Sequence, residues 1–218
     1  MQHIKKPFIP IVMIFGGVIA GILISIAMYM LTGFSFIGIP QRNVIAVDES
    51  ESESADMTML AYTILGYIRD DDFRSLSRVV HPEYGVVFSP YATINLSTDR
   101  RFSDDQIATL DSDSTVYVWG VYNGSGEPIE LTPAEYFDKF VPAAYHLDAA
   151  IIGVNQIVRS GNALENITDV FPNVQFVDFH IPCENENEEF DWSTLRLGFE
   201  EYSGNLRLIA ITYSTWTD

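Results

Sequence analysis

No charged residue interrupts the chain between Pro7 and Pro40, and the stretch from Phe8 to Leu31 is apolar on every face. A helix of about 20 such residues crosses a bilayer, whereas a soluble core helix keeps one polar face. The pattern predicts a transmembrane helix over 7–33, preceded by a short stub at 1–6. The run is longer than the roughly 7–15 apolar residues of a cleavable signal and ends on the bulky Met28-Tyr29-Met30-Leu31. It therefore reads as an uncleaved signal anchor. Next comes a segment, 34–56, that ends in alternating acid and serine from Asp48 to Asp56 with no apolar period. This predicts an extended, solvated tether.

Helical spacing begins at Met57. Leu60, Ile64, Tyr67 and Ile68 fall on one face. Asp70-Asp71-Asp72 breaks the run, and Phe73, Leu76, Val79 and Val80 resume it in a second short helix that His81-Pro82 ends. Two capping boxes announce further helices, Ser103 with Gln106 and Thr132 with Glu135, the second carrying proline at its first position. Strand patterns occur at Val86-Val87-Phe88, 116–119, 174–181 and 195–199, and again from Leu206 to Trp216. The Tyr202-Ser203-Gly204-Asn205 turn joins the last two as an antiparallel hairpin. Leu195, Leu197 and Phe199 alternate with Arg196, Gly198 and Glu200, predicting one buried and one open sheet face. Helices followed by strands define an α+β domain over 57–218, with helices packed on one face of a curved antiparallel sheet.

Charge sharpens the topology. Lys5 and Lys6 flank the apolar run on its N-terminal side and Arg42 alone lies near the other, so the N-terminus is expected in the cytoplasm and the domain outside, at the cell membrane. The chain has 12 basic and 30 acidic residues; without Lys5, Lys6 and Arg42, nine basic residues face all 30 acids, a net −21. Such a surface repels nucleic acid, which is excluded as a partner. A single cysteine, Cys183, forms no internal disulfide, so the core alone must hold the domain. Gly17, Gly21 and Ser25 recur at four-residue spacing, a stripe that would let two spans approach as a homodimer, although glycine is common in such helices.

Several segments resemble a family of extracytoplasmic proteins of Gram-positive bacteria, many of them lipoproteins of unassigned function. They are His81-Pro82-Glu83-Tyr84-Gly85-Val86, Phe88-Ser89-Pro90-Tyr91, Trp119-Gly120 with Gly124-Ser125-Gly126-Glu127-Pro128-Ile129, Glu135-Tyr136-Phe137, Asp191-Trp192 with Leu195-Arg196-Leu197, and Trp216-Thr217. The resemblance spans about 57–218, and the order of elements is similar to the NTF2-like cone, in which a helix lies across a bent sheet and leaves a pocket. The chain lacks the lipid-bearing cysteine of those lipoproteins, so the membrane helix would replace the lipid. The resemblance brings no catalytic residues with it.

Candidate chemistry is sparse. His81 ends a helix beside Glu83, a pairing that suits either a general base or a structural stop. Asp178 and His180 share a strand face, and Arg196 is a cation on a strand of a very acidic domain that, if buried, needs a carboxylate such as Glu200. Trp119, Trp192 and Trp216, with Tyr91, Tyr117 and Phe137, supply aromatic surface for a pocket or for the core. Scattered histidines, a lone cysteine and acidic runs without calcium-loop spacing give no metal site, and no cofactor is expected. Gly124-Ser125-Gly126 lacks the context of a phosphate loop or nucleophile elbow. The expected function is a membrane-anchored extracytoplasmic binding or scaffolding module at the cell envelope. Its speculative ligand site is His81, Asp178, His180, Arg196, Trp119 and Trp216, taking a protein, wall component or small molecule. The alternative is a cone-fold enzyme with an Asp/His pair in an aromatic pocket, and a third reading is a spacer that only oligomerises.

Overall fold

The computed structural model describes residues 43–46, 51–183 and 190–216. Helix α1 (Glu51–Arg69) places Met57, Ala61, Ile64, Leu65 and Ile68 on its buried face. The triple aspartate stops it: Asp71 adopts a positive φ of 54°, and the Asp72 carboxylate accepts from Ser75 N at 3.0 Å to cap α2 (Phe73–Ser77). Both capping boxes form, over α3 (Asp104–Ile107) and α4 (Pro133–Phe140), and α5 (Ala143–His146) and α6 (Ile167–Val170) complete the helices.

Seven strands make one sheet: β1 (Asn43–Ala46), β2 (Val86–Ser89), β3 (Arg100–Phe102), β6 (Ile151–Val154), β7 (Gln175–Ile181), β8 (Ser193–Tyr202) and β9 (Asn205–Thr215). Their order is β1-β6-β7-β8-β9-β2-β3, while β4 (Tyr117–Val121) and β5 (Pro128–Leu131) pair separately. The β8–β9 turn uses Ser203 and Gly204 at φ 53° and 76°, the doubly left-handed conformation that matches strand twist in a two-residue hairpin.

The sheet's first face packs on the helices. Val177, Phe179, Leu195, Leu197, Phe199, Leu208 and Ile211 meet α1, α2 and α4 in the main core. An aromatic layer closes that core: Trp119 stacks on Tyr136 with ring centroids 3.9 Å apart and planes 9° off parallel, and Phe88 and Phe102 lie against it. Trp119 Nε1 donates to Leu131 O at 2.9 Å, so the indole is fully buried without an orphan donor.

Several expectations are corrected. The α+β class holds, but the sheet is mixed rather than antiparallel, because β1 joins β6 and β2 joins β9 in parallel. The open face of a cone is replaced by a second buried face, where Val87, Ile94, Phe176 and Ile209 cluster with Ile167 and Phe171 of the covering segment 155–174. Strand β8 is therefore buried on both sides from Ser193 to Phe199 instead of alternating. The helix expected to cross a membrane at 7–33 lies outside the described residues, and among those described no helix is long and apolar enough to cross one. The solvated tether also gives way, since Asn43–Ala46 is a strand and α1 begins at Glu51, with Ser54 buried. Acidic residues suit the first turn of a helix, whose free N–H groups carry partial positive charge.

Because the aromatic layer is closed around Trp119, Trp119→Ala should lower stability by about 3–5 kcal/mol. Urea unfolding checks this, and a variant as stable as the wild type would contradict the layer's role.

Candidate functional site

Cross-strand register sets a line of polar residues on the second face. Gly153, Asp178, Arg196, Thr212 and Ser89 are directly opposite one another across β6, β7, β8, β9 and β2. One row along stand His180, Thr194 and Ser214. All of these polar side chains are buried. Asp178 receives Arg196 Nε on one oxygen and Nη2 on the other, the latter at 2.9 Å, and Val158 N donates to it at 3.1 Å. Glu165, from the covering segment, accepts Arg196 Nη1 through Oε2. Phe176 lies beneath the guanidinium, 4.7 Å from its ring centroid. Burial works against the Arg196 charge, but Asp178 and then Glu165 more than offset it and hold the group above its ordinary value.

The covering segment can fold this tightly because of Gly153. A Cβ there would stand 2.5 Å from Gln156 O and 2.6 Å from Val158 Cγ2, so no side chain fits. The segment is then pinned by Asn155, whose side chain accepts from Phe176 N at 2.8 Å, and by Asn166, which exchanges two hydrogen bonds with Ile94.

Of the residues singled out from sequence, the structure brings together Asp178, His180 and Arg196 and separates the rest. His180 Nδ1 lies 2.8 Å from Thr194 Oγ1, and its ring meets Trp192 rather than Trp119 or Trp216. Burial lowers its pKa first, the charge of Arg159 adds to that, and Asp178 opposes it. With both Asp178 oxygens committed to Arg196, Asp178 and His180 do not form an acid–base dyad. His81 Nδ1 accepts from Tyr84 N at 3.0 Å and Glu83 N at 3.3 Å, closing the His81–Gly85 turn, while Glu83 itself binds Tyr202 Oη. Trp119 belongs to the aromatic layer, and Trp216 lies against Phe190 at 4.5 Å with 39% of its surface exposed. The partner of Arg196 is not Glu200, which lies four residues along the same strand, but Asp178 and Glu165. Asp178 could have been found by matching strand registers; Glu165, in irregular chain, carries no local signal.

An open cleft lies elsewhere, where the end of α1 meets α2, α4 and α5. It has a volume of about 580 Å³, with Phe73, Leu110 and Phe137 forming an apolar floor and Tyr145 exposed at its edge. Its charged lining is Asp71, Asp111 and Asp138 with Arg69. Asp70 already engages Arg69 in two hydrogen bonds of 2.7 and 2.8 Å, so the cleft's balance is negative. A second hollow of about 370 Å³ shares Asp71, Phe73 and Asp111 with the first. Among the described residues no group of three or more His, Cys, Asp or Glu is arranged to hold a metal ion.

Comparison of the chain with family models, curated proteins and solved structures finds no match.

Between the cleft and the polar rows sits His146. A carbonyl only accepts, so the 3.1 Å contact with Pro142 O requires hydrogen on Nδ1, and Nε2 then accepts from Ser193 Oγ at 3.1 Å. That is the neutral ring, and burial, aided by the nearby His180, lowers the pKa to about 4 against the pull of Pro142 O. Its unfolded value is near 6.5. The unfolded chain thus takes up a proton first as pH falls, and the stability present above 6.5 is lost towards 4. Unfolding in urea should cost about 2 kcal/mol less at pH 5 than at pH 7.5, and His146→Gln should flatten that difference; an unchanged slope in the variant would contradict it.

The ion pair makes a separate demand. Asp178→Asn should lose about 3–5 kcal/mol, because a buried guanidinium keeps its charge with half its compensation gone. The triple variant D178L/E165Q/R196M, which leaves no charge at this centre, should regain most of the loss on thermal unfolding. A single-variant loss below about 1 kcal/mol would show that the pair is dispensable.

Proposed function

We propose that this chain is a binding module whose cleft holds a ligand with an apolar group beside a positive charge. The observation that carries this reading is the combination of the Phe73, Leu110 and Phe137 floor with the carboxylates of Asp71, Asp111 and Asp138 around it. Pockets for small ligands are mostly apolar with a few placed polar groups, and here those groups are of one sign. The chain's net charge of −18 draws cations towards the domain as a whole and raises their local concentration at such a cleft. Tyr145 at the edge adds an aromatic face on which a cation can rest. A lysine- or arginine-bearing segment flanked by an apolar residue is one ligand of this chemistry, which suits a module that recognises another protein.

Three probes with one hexyl tail separate the contributions: hexylammonium, hexanol and heptanoate, titrated into the full chain and followed by amide chemical shifts. Hexylammonium should bind about tenfold more tightly than heptanoate, with shifts at Phe73, Leu110 and Phe137. Asp138→Asn should narrow that ratio, and Ala134→Trp, which puts bulk into the cleft wall from an exposed helix position, should abolish the shifts. Equal affinities for the three probes, or shifts confined to other parts of the domain, would overturn the reading.

A further inference from the structure

A guanidinium has five N–H donors, and among the described residues Arg196 uses three of them: Nε and Nη2 towards Asp178, and Nη1 towards Glu165. Arg196 is 2% exposed, so the two remaining donors, one on each terminal nitrogen, are held away from water. The end of the fork presents one N–H from each terminal nitrogen and is the edge on which a carboxylate sits with one oxygen on each. Glu165 meets Nη1 alone, and with a single oxygen. Its other oxygen, Oε1, is buried and has no hydrogen-bond partner. Unused donors and an unused acceptor thus coexist at the same buried charge, which is costly for both.

The two carboxylates are held differently. Asp178 is wholly buried, bidentate and further fixed by Val158 N. Glu165 is 10% exposed and projects from irregular chain. The backbone on either side of it is fixed: Leu164 O accepts from Thr93 Oγ1 at 2.7 Å, and Asn166 is paired with Ile94. Rotation of the Glu165 side chain alone, with the covering segment in place, would free the end of Arg196 towards solvent.

We propose that the end of the Arg196 fork is a binding site for a small monocarboxylate, occupied in this conformation by the chain's own Glu165 as an imperfect substitute. A free carboxylate has no tether to the strap and can place both oxygens on Nη1 and Nη2. Glu165 then acts as an internal competitor, so the site opens only to a ligand concentrated enough to displace it. The proposal is independent of the cleft, which lies on the helical face.

The test uses the full chain and sodium formate, with sodium chloride at equal ionic strength as reference. Glu165→Ala should melt below the wild type in chloride. Formate should raise its Tm saturably, by about 3 °C or more. The wild type should need at least about tenfold more formate for any response, because its own carboxylate competes. The triple variant E165A/D178L/R196M, which removes the guanidinium without leaving a buried carboxylate, should show no difference between the two salts. Equal melting of Glu165→Ala in formate and chloride overturns the proposal, and so does a formate response that survives in the triple variant. Should Glu165→Ala fail to fold, Glu165→Gln keeps an acceptor for Arg196 and carries the same question through the line width of ¹³C-formate. Saturable broadening supports the site, and its absence overturns it.

Discussion

A charge buried in the middle of a sheet constrains everything around it. Arg196 sits on β8, the central strand of the seven, and its countercharge Asp178 lies directly opposite on β7. A slip of that pairing by one residue would turn Asp178 to the helical face and leave the guanidinium alone in an apolar interior. The pair therefore fixes the register of the central strands more strictly than aliphatic side chains, which tolerate exchange, can do. It also explains why the covering segment must exist. An Arg–Asp pair on an open face would be weak and screened, whereas under the cover it organises Val158, Glu165 and Phe176 around one centre.

Much of the local structure is legible in the sequence because its causes are local. The capping boxes at Ser103 and Thr132, the helix stop at the triple aspartate and the hairpin turn at Ser203-Gly204 each rest on a few neighbouring residues. What escapes is set by distant chain. Strand β6 is four residues long with a glycine at its third position, chosen to admit Gln156 and Val158 rather than to fill a pleat. Strand β3 reads Arg-Arg-Phe, a poor strand by composition that is held by pairing with β2. The second sheet face shows the same limit. Arg196 and Gly198 alternate with apolar residues as an exposed face would, and only the segment 155–174 reverses that meaning.

The site residues divide along the same line. Asp178, His180 and Arg196 share a face because period-two alternation and register place them there, and both are readable from the strands. His81 and Trp119 look chemically suggestive in sequence, yet His81 Nδ1 closes a turn and Trp119 Nε1 donates to Leu131 O. The cleft was not legible at all. Its floor comes from α2, the Leu110 turn and α4, three short pieces that meet only in the folded chain. The two faces treat charge differently: carboxylates surround an open hollow on the helical side, and a guanidinium is enclosed with its two carboxylates on the other.

The strand order has a consequence for how the chain comes to be folded. Strand β9, drawn from residues 205–215, lies between β8 and β2, so the β2–β3 edge made more than a hundred residues earlier has no place in the sheet until β9 arrives. During synthesis, α1 and α2 can form early, but the seven-stranded sheet cannot close until nearly the whole described chain has emerged. Long-range pairings of this kind fold slowly. The unpaired edge of β2 stays exposed meanwhile, a template on which another chain can pair until β9 covers it.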